Sequence, residues 1–317
     1  MPDQPTCSVV VPVYNSEATL TPLIERLAAI LPTIARQFEV ILVNDGSRDK
    51  SWEVVTQLTE AYSWVHGINF MRNYGQHNAL LAGIRAASHA IIITIDDDLQ
   101  HPPEEIPKLL AKLAEGYDVV YGTPVQRRDK LWRDLASRIT RLALATSMGF
   151  ETARHASAFR AFRTELRMAF ADYRSPDMIL DVLLTWGTTR FGSVIVEHQP
   201  RQVGKSNYTL LKLLNHTLNM MTGFSTLPLR IASLTGFVFT IFGFLLLLIV
   251  ISAYAIEGSS VPGFPFLASV ITIFAGVQLF GIGIIGEYLG RIHFRSMHRP
   301  SSVIRNTIGF DSGDGKK

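Results

Sequence analysis

The most chemically distinctive feature of the sequence is a run of three aspartates, Asp96, Asp97 and Asp98. It follows Ala90–Ile95, an almost wholly apolar segment rich in β-branched residues that is typical of a buried strand. Three like charges at the end of a buried strand repel one another unless a cation compensates them. Carboxylates without cysteine or paired histidine suit a hard cation, so we expect Mg²⁺ or Mn²⁺ here, bridging substrate phosphates. A solvated acidic loop is the alternative.

The segments around these aspartates have the pattern of an α/β protein. Short apolar segments alternate with segments whose apolar residues recur at helical spacing. This alternation predicts a mostly parallel sheet with helices on both faces and a ligand site at the carboxyl ends of its strands. The predicted strands are Ser8–Val13, Phe38–Val43, His66–Phe70, Ala90–Ile95 and Tyr117–Tyr121, and the predicted helices are Ser16–Leu31, Asp49–Tyr62, Gly75–Ala87 and Pro103–Leu113.

Polar residues gather after four successive predicted strands, which favours one ligand site over four separate loops. Any one of them alone is explained equally well as the N-cap of the next helix. No GxGxxG pattern follows the first strand and no GxxxxGK[ST] pattern occurs, so neither a dinucleotide cradle nor a P-loop is indicated. Besides the aspartates, these residues are Tyr14, Asn15, Glu17, Asn44, Asp45, Gly46, Ser47, Arg72, Asn73, Tyr74, Gly75 and Gln76.

The composition of the 317 residues indicates a protein with a membrane-spanning part. Hydrophobic residues make up 47% and charged residues 18% of the chain, whereas a typical soluble domain carries about 25% charged residues. The net charge of +3 is mild and forms no basic stripe, so we expect no nucleic-acid partner. The single cysteine, Cys7, cannot form an internal disulfide.

The apolar excess lies in two C-terminal segments. Ile231–Ile256 and Gly258–Gly286 contain no Asp, Glu, Lys or Arg, and each is long enough as a helix to cross the ~30 Å of a bilayer core. Lys and Arg flank both segments but are absent from the loop between them, which places this loop outside by the positive-inside rule. The predicted order is a cytoplasmic α/β domain at 1–205, an interfacial amphipathic helix at 206–229, transmembrane helices at 230–256 and 265–290 joined by an external loop at 257–264, and a cytoplasmic tail at 291–317.

Four sequence motifs resemble the opening motifs of family-2 glycosyltransferases, which have the GT-A fold with a Rossmann-like, mostly parallel sheet. The motifs are VVPVYNSE, VNDGSRD, RNYGQHNALLAGI and DDDLQHPPEEI. The chain is more closely similar to the polyisoprenyl-phosphate glycosyltransferases, which include dolichyl-phosphate mannose synthases, bactoprenol glucosyltransferases and undecaprenyl-phosphate formamido-arabinose transferases. This resemblance extends through RQVGKSNY before the first apolar segment and GEYLGRI at the end of the second.

The resemblance implies a nucleotide-sugar site and a metal site at the strand ends. In the family a DXD motif holds the metal and the donor diphosphate, and residues of the first two motifs line the base and ribose. Relatives usually carry a small residue where Asp97 stands, so its charge is a departure from the family pattern. The implied nucleotide-sugar residues are Pro12, Tyr14, Glu17, Asp45, Arg72, Gly75 and Asp97, and the implied ligands of Mg²⁺ or Mn²⁺ are Asp96, Asp98 and Gln100.

The resemblance also implies a binding site for the phosphate of a polyisoprenyl lipid. Arg133 and Ser137 have the RxxxS spacing of a lipid-phosphate clamp and share one helical face, although a solvated helix face is the alternative. Relatives often carry Asp and Gly where Arg154–Ser157 stand, which puts sugar contacts from that loop in question. The implied acceptor-phosphate residues are Arg133, Ser137, Arg160, Arg201 and Lys205, and the implied catalytic residues are Asp96, Asp98, Asp181 and Arg201. Asp181 would orient the acceptor or, equally, cap a helix.

The function implied by the resemblance is transfer of one sugar from a nucleotide sugar to undecaprenyl phosphate, with inversion at the anomeric carbon. We expect UDP as the nucleotide and glucose as the sugar, and a multi-pass protein of the inner, cytoplasmic membrane that is compatible with homo-oligomer formation. The acceptor phosphate is already anionic at neutral pH, so no strong general base is needed. The alternatives are a processive polysaccharide synthase, which the missing QxxRW motif and the two spans argue against, and a non-catalytic membrane scaffold.

Overall fold

The computed structural model describes residues 4–124, 155–174, 178–199, 227–257, 263–297 and 300–310. The chain divides into two compact units, and each is described by itself below. The first consists of residues 1–209 together with 298–317, and the second of residues 210–297.

The first unit contains an eight-stranded sheet with helices between the strands. Its described residues also form two short 3₁₀ helices, Pro103–Glu105 and Thr164–Phe170. Its strands are β1 (Thr6–Val13), β2 (Gln37–Asn44), β3 (Val65–Phe70), β4 (Ile91–Thr94), β5 (Val119–Pro124), β6 (Arg160–Arg163), β7 (Phe191–Val196) and β8 (Ile304–Ile308). Its helices are α1 (Leu20–Ile34), α2 (Ser51–Ala61), α3 (Gln76–Ala86), α4 (Ile106–Ala114) and α5 (Leu180–Gly187).

The strands lie in the order β7-β5-β6-β4-β1-β2-β3-β8. The pairs β1–β2, β1–β4, β2–β3 and β5–β7 are parallel. Strand β6 runs antiparallel to both β4 and β5, and β8 runs antiparallel to β3. The predicted α/β fold with a mostly parallel sheet is therefore confirmed, and the carboxyl ends of β1 to β4 meet at one edge.

The core lies on both faces of the sheet because side chains alternate between the faces of a strand. On one face, Val9 and Val11 of β1 pack in the same buried cluster as Leu27 of α1. On the other face, Val10 belongs to a buried cluster with Ile84 of α3. Every residue of β1 from Cys7 to Val13 is buried, which explains why its sequence reads as a continuous apolar run.

Three strands, β6, β7 and β8, are not predicted by the sequence pattern. Strand β6 has only four residues, two of them arginines, and every residue of β8 is at least partly exposed, so neither has the apolar run of a buried strand. The interpretation of 291–317 as a tail therefore needs correction. Ile304–Ile308 instead forms an edge strand of the sheet.

The second unit contains two long apolar helices, α6 (Leu227–Glu257) and α7 (Phe264–Ser296). Within them, Leu229–Leu246 and Ile273–Gly290 have mean hydropathies of 1.9 and 1.5. Both helices are long and apolar enough to cross a bilayer, and they contact each other through an edge-to-face pair of phenylalanine rings. Of the predicted interfacial helix at 206–229, residues 206–226 lie outside the described residues, and 227–229 belong to α6.

Candidate active site

The carboxyl edge of the sheet encloses a cavity of about 370 Å³. Residues that follow β1, β2, β3 and β4 line it, as expected for a ligand site of a parallel α/β sheet. Seven of the residues to which the family resemblance assigns a role therefore meet in one place, together with Asn73 and Gln76 of the strand-end set. The lining residues are Pro12, Val13, Tyr14, Asp45, Asn73, Gly75, Gln76, Asp96, Asp97 and Asp98.

Asp45 joins the loop after β2 to the loop after β3. Its buried carboxylate accepts hydrogen bonds from the backbone N–H groups of Tyr74 and Gly75, at 2.6 and 2.8 Å. Burial raises the pKa of Asp45, and these two bonds act in the opposite direction. Gly46 follows with a φ of +66°, and a Cβ there would lie 2.5 Å from the backbone of Arg72. Only glycine therefore lets the two loops approach this closely.

Asp96 is the most strongly perturbed carboxyl group of the site. Burial, followed by repulsion from Asp98 and then Asp97, raises the pKa of Asp96 to about 7. The side-chain amide of Gln76 donates to its Oδ1 at 2.7 Å. Gln76 is the first residue of α3 and lines the cavity, so a residue that the sequence places only in the strand-end set is a direct partner of Asp96.

Asp97 has partners of its own within the cavity wall. It accepts hydrogen bonds from the hydroxyl of Ser16 and, at 3.2 Å, from the backbone N–H of Tyr14. Burial nonetheless raises the pKa of Asp97 to about 6. This carboxylate ties the loop after β1 to the loop after β4, which gives the residue that departs from the family pattern a structural role.

Asp96 and Asp98 form a donor set that fits a hard divalent cation. Both are carboxylates of the same cavity. Burial and, after it, repulsion from Asp98 raise the pKa of Asp96, and a divalent charge would oppose both effects. Among the residues that the structure describes, no group of three or more His, Cys, Asp or Glu has metal-binding geometry. The amide of Gln100 and substrate oxygens would therefore have to complete the coordination. The backbone N–H of Gln100 donates to Asp98 at 3.1 Å.

Two further predicted nucleotide-binding residues lie close to the cavity but outside its lining. Glu17 accepts a hydrogen bond from the backbone N–H of Lys50 at 2.9 Å, which ties the loop after β1 to the start of α2. The guanidinium of Arg72 lies 4.6 Å from the centre of the Tyr74 ring. Direct contact of Glu17 or Arg72 with a nucleotide stays a prediction.

Arg160 and Asp181 form a largely buried ion pair. Arg160 is only 2% exposed, its guanidinium donates to Asp181, and its Nε lies 3.1 Å from Oγ1 of Thr94. The sequence predicts that Arg160 binds the acceptor phosphate and that Asp181 assists the acceptor. In the structure Arg160 and Asp181 form an ion pair with each other. Contact of either residue with the acceptor therefore stays a prediction.

The remaining predicted acceptor residues lie outside the described residues. They are Arg133, Ser137, Arg201 and Lys205. Their assignment to the lipid phosphate, and that of Arg201 to catalysis, stays a prediction.

Two histidines next to the aspartates were missed by sequence reasoning. The His101 ring stacks on Phe159 and contacts His198 edge-on, at centroid distances of 5.3 and 5.0 Å. Burial and, second, repulsion from His198 lower the pKa of His101 to about 4, so the imidazole is neutral at pH 7. No sequence signal pairs these two residues, since they meet only when β7 reaches the loop after β4.

A mostly parallel sheet whose carboxyl edge brings Asp45 and the acid pair Asp96 and Asp98 to one cavity has the arrangement expected of a GT-A-type glycosyltransferase. Comparison with known proteins agrees, since the model of glycosyl transferase family 2 matches residues 8–170. The chain belongs to glycosyl transferase family 2 and is a glycosyltransferase.

The similarity to named relatives covers almost the whole chain. An undecaprenyl-phosphate 4-deoxy-4-formamido-L-arabinose transferase of Pectobacterium carotovorum subsp. carotovorum is 38% identical over 304 residues, which is 95% of this chain and 93% of the relative. A protein of the same name from Pseudomonas aeruginosa (strain UCBPP-PA14) is 38% identical over 309 residues, 95% of this chain and 90% of the relative. These relatives are polyisoprenyl-phosphate glycosyltransferases by name, so the predicted resemblance is confirmed.

The fold is also that of a solved sugar transferase. The crystal structure of M. tuberculosis glucosyl-3-phosphoglycerate synthase superposes with a TM-score of 0.51 at 21% identity, over 69% of this chain and 78% of that one. The same enzyme in complex with Mn²⁺, UDP-glucose and phosphoglyceric acid gives a TM-score of 0.51 at 18% identity, over 69% and 79% of the two chains. At this identity the likeness is one of fold.

Proposed function

We propose that the protein transfers one sugar from a UDP-sugar to undecaprenyl phosphate at a membrane surface. The observation that carries this proposal is the meeting of Asp45, Asp96 and Asp98 on one cavity. The names of the relatives support the acceptor, and α6 and α7 support a membrane location where such a lipid is anchored.

For the transferred sugar we propose 4-deoxy-4-formamido-L-arabinose. The relatives of that name match the chain over 95% of its length, whereas the expectation of glucose rests on the broader family resemblance. The assay described below includes both donors and therefore decides between the two sugars.

The proposed reaction is a single inverting displacement. An oxygen of the lipid phosphate forms a bond to the anomeric carbon as the bond from that carbon to the diphosphate breaks, and the electron pair leaves with the nucleoside diphosphate. Asp96 and Asp98, with Gln100, would hold Mg²⁺ or Mn²⁺, which when bound neutralises the leaving diphosphate. Asp45 holds the two loops of the nucleotide pocket together, and Arg133, Arg201 and Lys205 would attract the acceptor phosphate.

The test of this function uses the full-length protein in a non-ionic detergent with undecaprenyl phosphate and Mn²⁺. One arm supplies UDP-4-deoxy-4-formamido-L-arabinose and the other supplies UDP-glucose, and mass spectrometry identifies the lipid product. We expect a lipid phosphate carrying one formamido-arabinose. Faster transfer of glucose would overturn the assignment of the sugar. A polymeric product would favour a processive synthase, and no product in either arm would favour a scaffold.

The membrane orientation is a separate prediction. With both termini cytoplasmic, Ser259→Cys in the loop between the spans is expected to react with a membrane-impermeant maleimide on intact cells, and Ser312→Cys only after permeabilisation. The wild-type chain is the matched control, because its single cysteine, Cys7, is fully buried. Labelling of Ser312→Cys on intact cells would reverse the orientation.

A further inference from the structure

The edge strand β8 is connected to the nucleotide pocket by a chain of amide side chains. In the antiparallel pairing of β3 and β8, Asn69 lies opposite Asn306. The side-chain Nδ2 of Asn69 donates to Oδ1 of Asn306 at 3.1 Å. Asn306 belongs to the part of the chain that follows the second apolar helix, far from the other site residues in sequence.

The chain of hydrogen bonds continues across the sheet to the cavity wall. Nδ2 of Asn44 donates to Oδ1 of Asn69 at 2.8 Å, and the backbone N–H of Ser47 donates to Oδ1 of Asn44 at 3.3 Å. The Ser47 hydroxyl in turn accepts from the backbone N–H of Asn15 at 3.0 Å. Asn44 directly precedes Asp45, and Asn15 directly follows Tyr14, so the chain ends beside two cavity-lining residues.

All donors of this chain point in the same direction, from Asn15 towards Asn306. Asn44 and Asn69 are only 3% and 8% exposed, so solvent does not readily replace a lost partner. The two ends of an asparagine amide have nearly the same shape, and the partners decide which end points where. The acceptor on Asn306 therefore sets the orientation of Asn69, and Asn69 sets that of Asn44.

A second set of contacts joins β8 and the residue before it to the loop after β3. The backbone N–H of Met71 donates to the carbonyl of Val303 at 2.9 Å, and Arg305 donates to the carbonyl of Met71 at 3.4 Å. Met71 begins the loop whose N–H groups at Tyr74 and Gly75 bind Asp45. Strand β8 thus supports both loops that Asp45 joins.

We propose that Asn306 is a positioning residue for the nucleotide of the donor, acting through Asn69 and Asn44. The inference rests on the proposed function in that the ligand of the cavity is a nucleotide sugar. Strand β8, which follows the two apolar helices in sequence, would thereby help to hold the loops of the donor pocket in place.

The test compares three variants of the full-length protein in detergent. Asn306→Leu keeps the size of the side chain but removes the acceptor, Asn306→Asp keeps an acceptor, and Thr307→Val on the same strand is the control. Calorimetry measures binding of UDP in the presence of Mn²⁺, and initial rates give kcat and the two KM values.

We expect Asn306→Leu to weaken UDP binding and to raise the donor KM about three- to tenfold, the effect of one hydrogen bond. Its kcat and acceptor KM should stay within about twofold of wild type, because the chain ends at the nucleotide pocket. Asn306→Asp should recover most of the donor affinity, and Thr307→Val should match wild type.

Unchanged donor affinity in Asn306→Leu would overturn the inference, as would an equal loss in Asn306→Asp or equal rises in both KM values. If wild type binds GDP or CDP rather than UDP, the proposed donor is wrong, and the variants are compared on the nucleotide that binds. If wild type binds none of the three nucleotides, the proposed function and this inference both fail.

Discussion

Replacing Asp98 by asparagine is expected to lower the rate of sugar transfer by about 100-fold or more while the protein stays folded. The change removes one of the two carboxylates that the cavity offers to a divalent cation, and stabilisation of transition-state charge by a metal is worth several kcal/mol. Loss of one negative charge also relieves the repulsion on Asp96, so the folded state is not expected to suffer.

The measurement is the initial rate of transfer across a Mn²⁺ titration, with and without EDTA. Glu104→Gln is the matched control, since Glu104 belongs to the same sequence motif but lies at the surface in an ion pair with Arg26. Loss of such an exposed pair has little effect. Transfer at the wild-type rate by Asp98→Asn, or by the wild-type protein in EDTA, would contradict the assignment of a metal site.

Replacing Arg160 by methionine is expected to lower the free energy of unfolding of the first unit by about 3–5 kcal/mol, the effect of leaving one partner of a buried ion pair alone. Asp181 would then lie uncompensated beside the buried Tyr121, and the hydroxyl of Thr94 would lose the donor that Arg160 provides. The double variant Arg160→Met/Asp181→Leu should recover most of this loss, because two apolar side chains can replace a buried pair.

The measurement is urea unfolding of the full-length protein in detergent, followed by tryptophan fluorescence. All four tryptophans lie within residues 1–209, so the signal reports the first unit alone. If the pair is purely structural, the double variant should also keep most of its transfer activity. A stable but inactive double variant would instead favour a predicted role of Arg160 or Asp181 at the acceptor, and a stable Arg160→Met would contradict the importance of the pair.

The chemistry of the site is largely readable from local sequence. Asp96, Asp97 and Asp98 follow a buried apolar strand, and such a strand brings its carboxyl end to the site edge of a parallel sheet. The strands β1 to β5 and helices α1 to α4 were predicted to within a few residues, because hydrophobic periodicity is a local property. The two apolar helices follow from length and composition for the same reason.

Contacts between residues far apart in sequence could be decided only by the tertiary structure. The sequence RAFR gives no sign that Arg160 is buried against Asp181, because an arginine is ordinarily exposed and its partner lies on another element. The different roles of the three aspartates also depend on the tertiary structure. Asp97 has a structural role only because Ser16 and Tyr14, which lie far away in sequence, donate hydrogen bonds to it.

The C-terminal strand is the clearest example of an element that local sequence does not predict. Ile304–Ile308 has no pattern of its own that demands burial, and it becomes a strand because β3 offers a hydrogen-bonding edge. By itself, the sequence determined the fold class, the acid pair and the apolar helices, since each depends on neighbouring residues. Only the tertiary structure decided that Asn306 lies beside Asn69, because that neighbourhood depends on strand order and not on spacing along the chain.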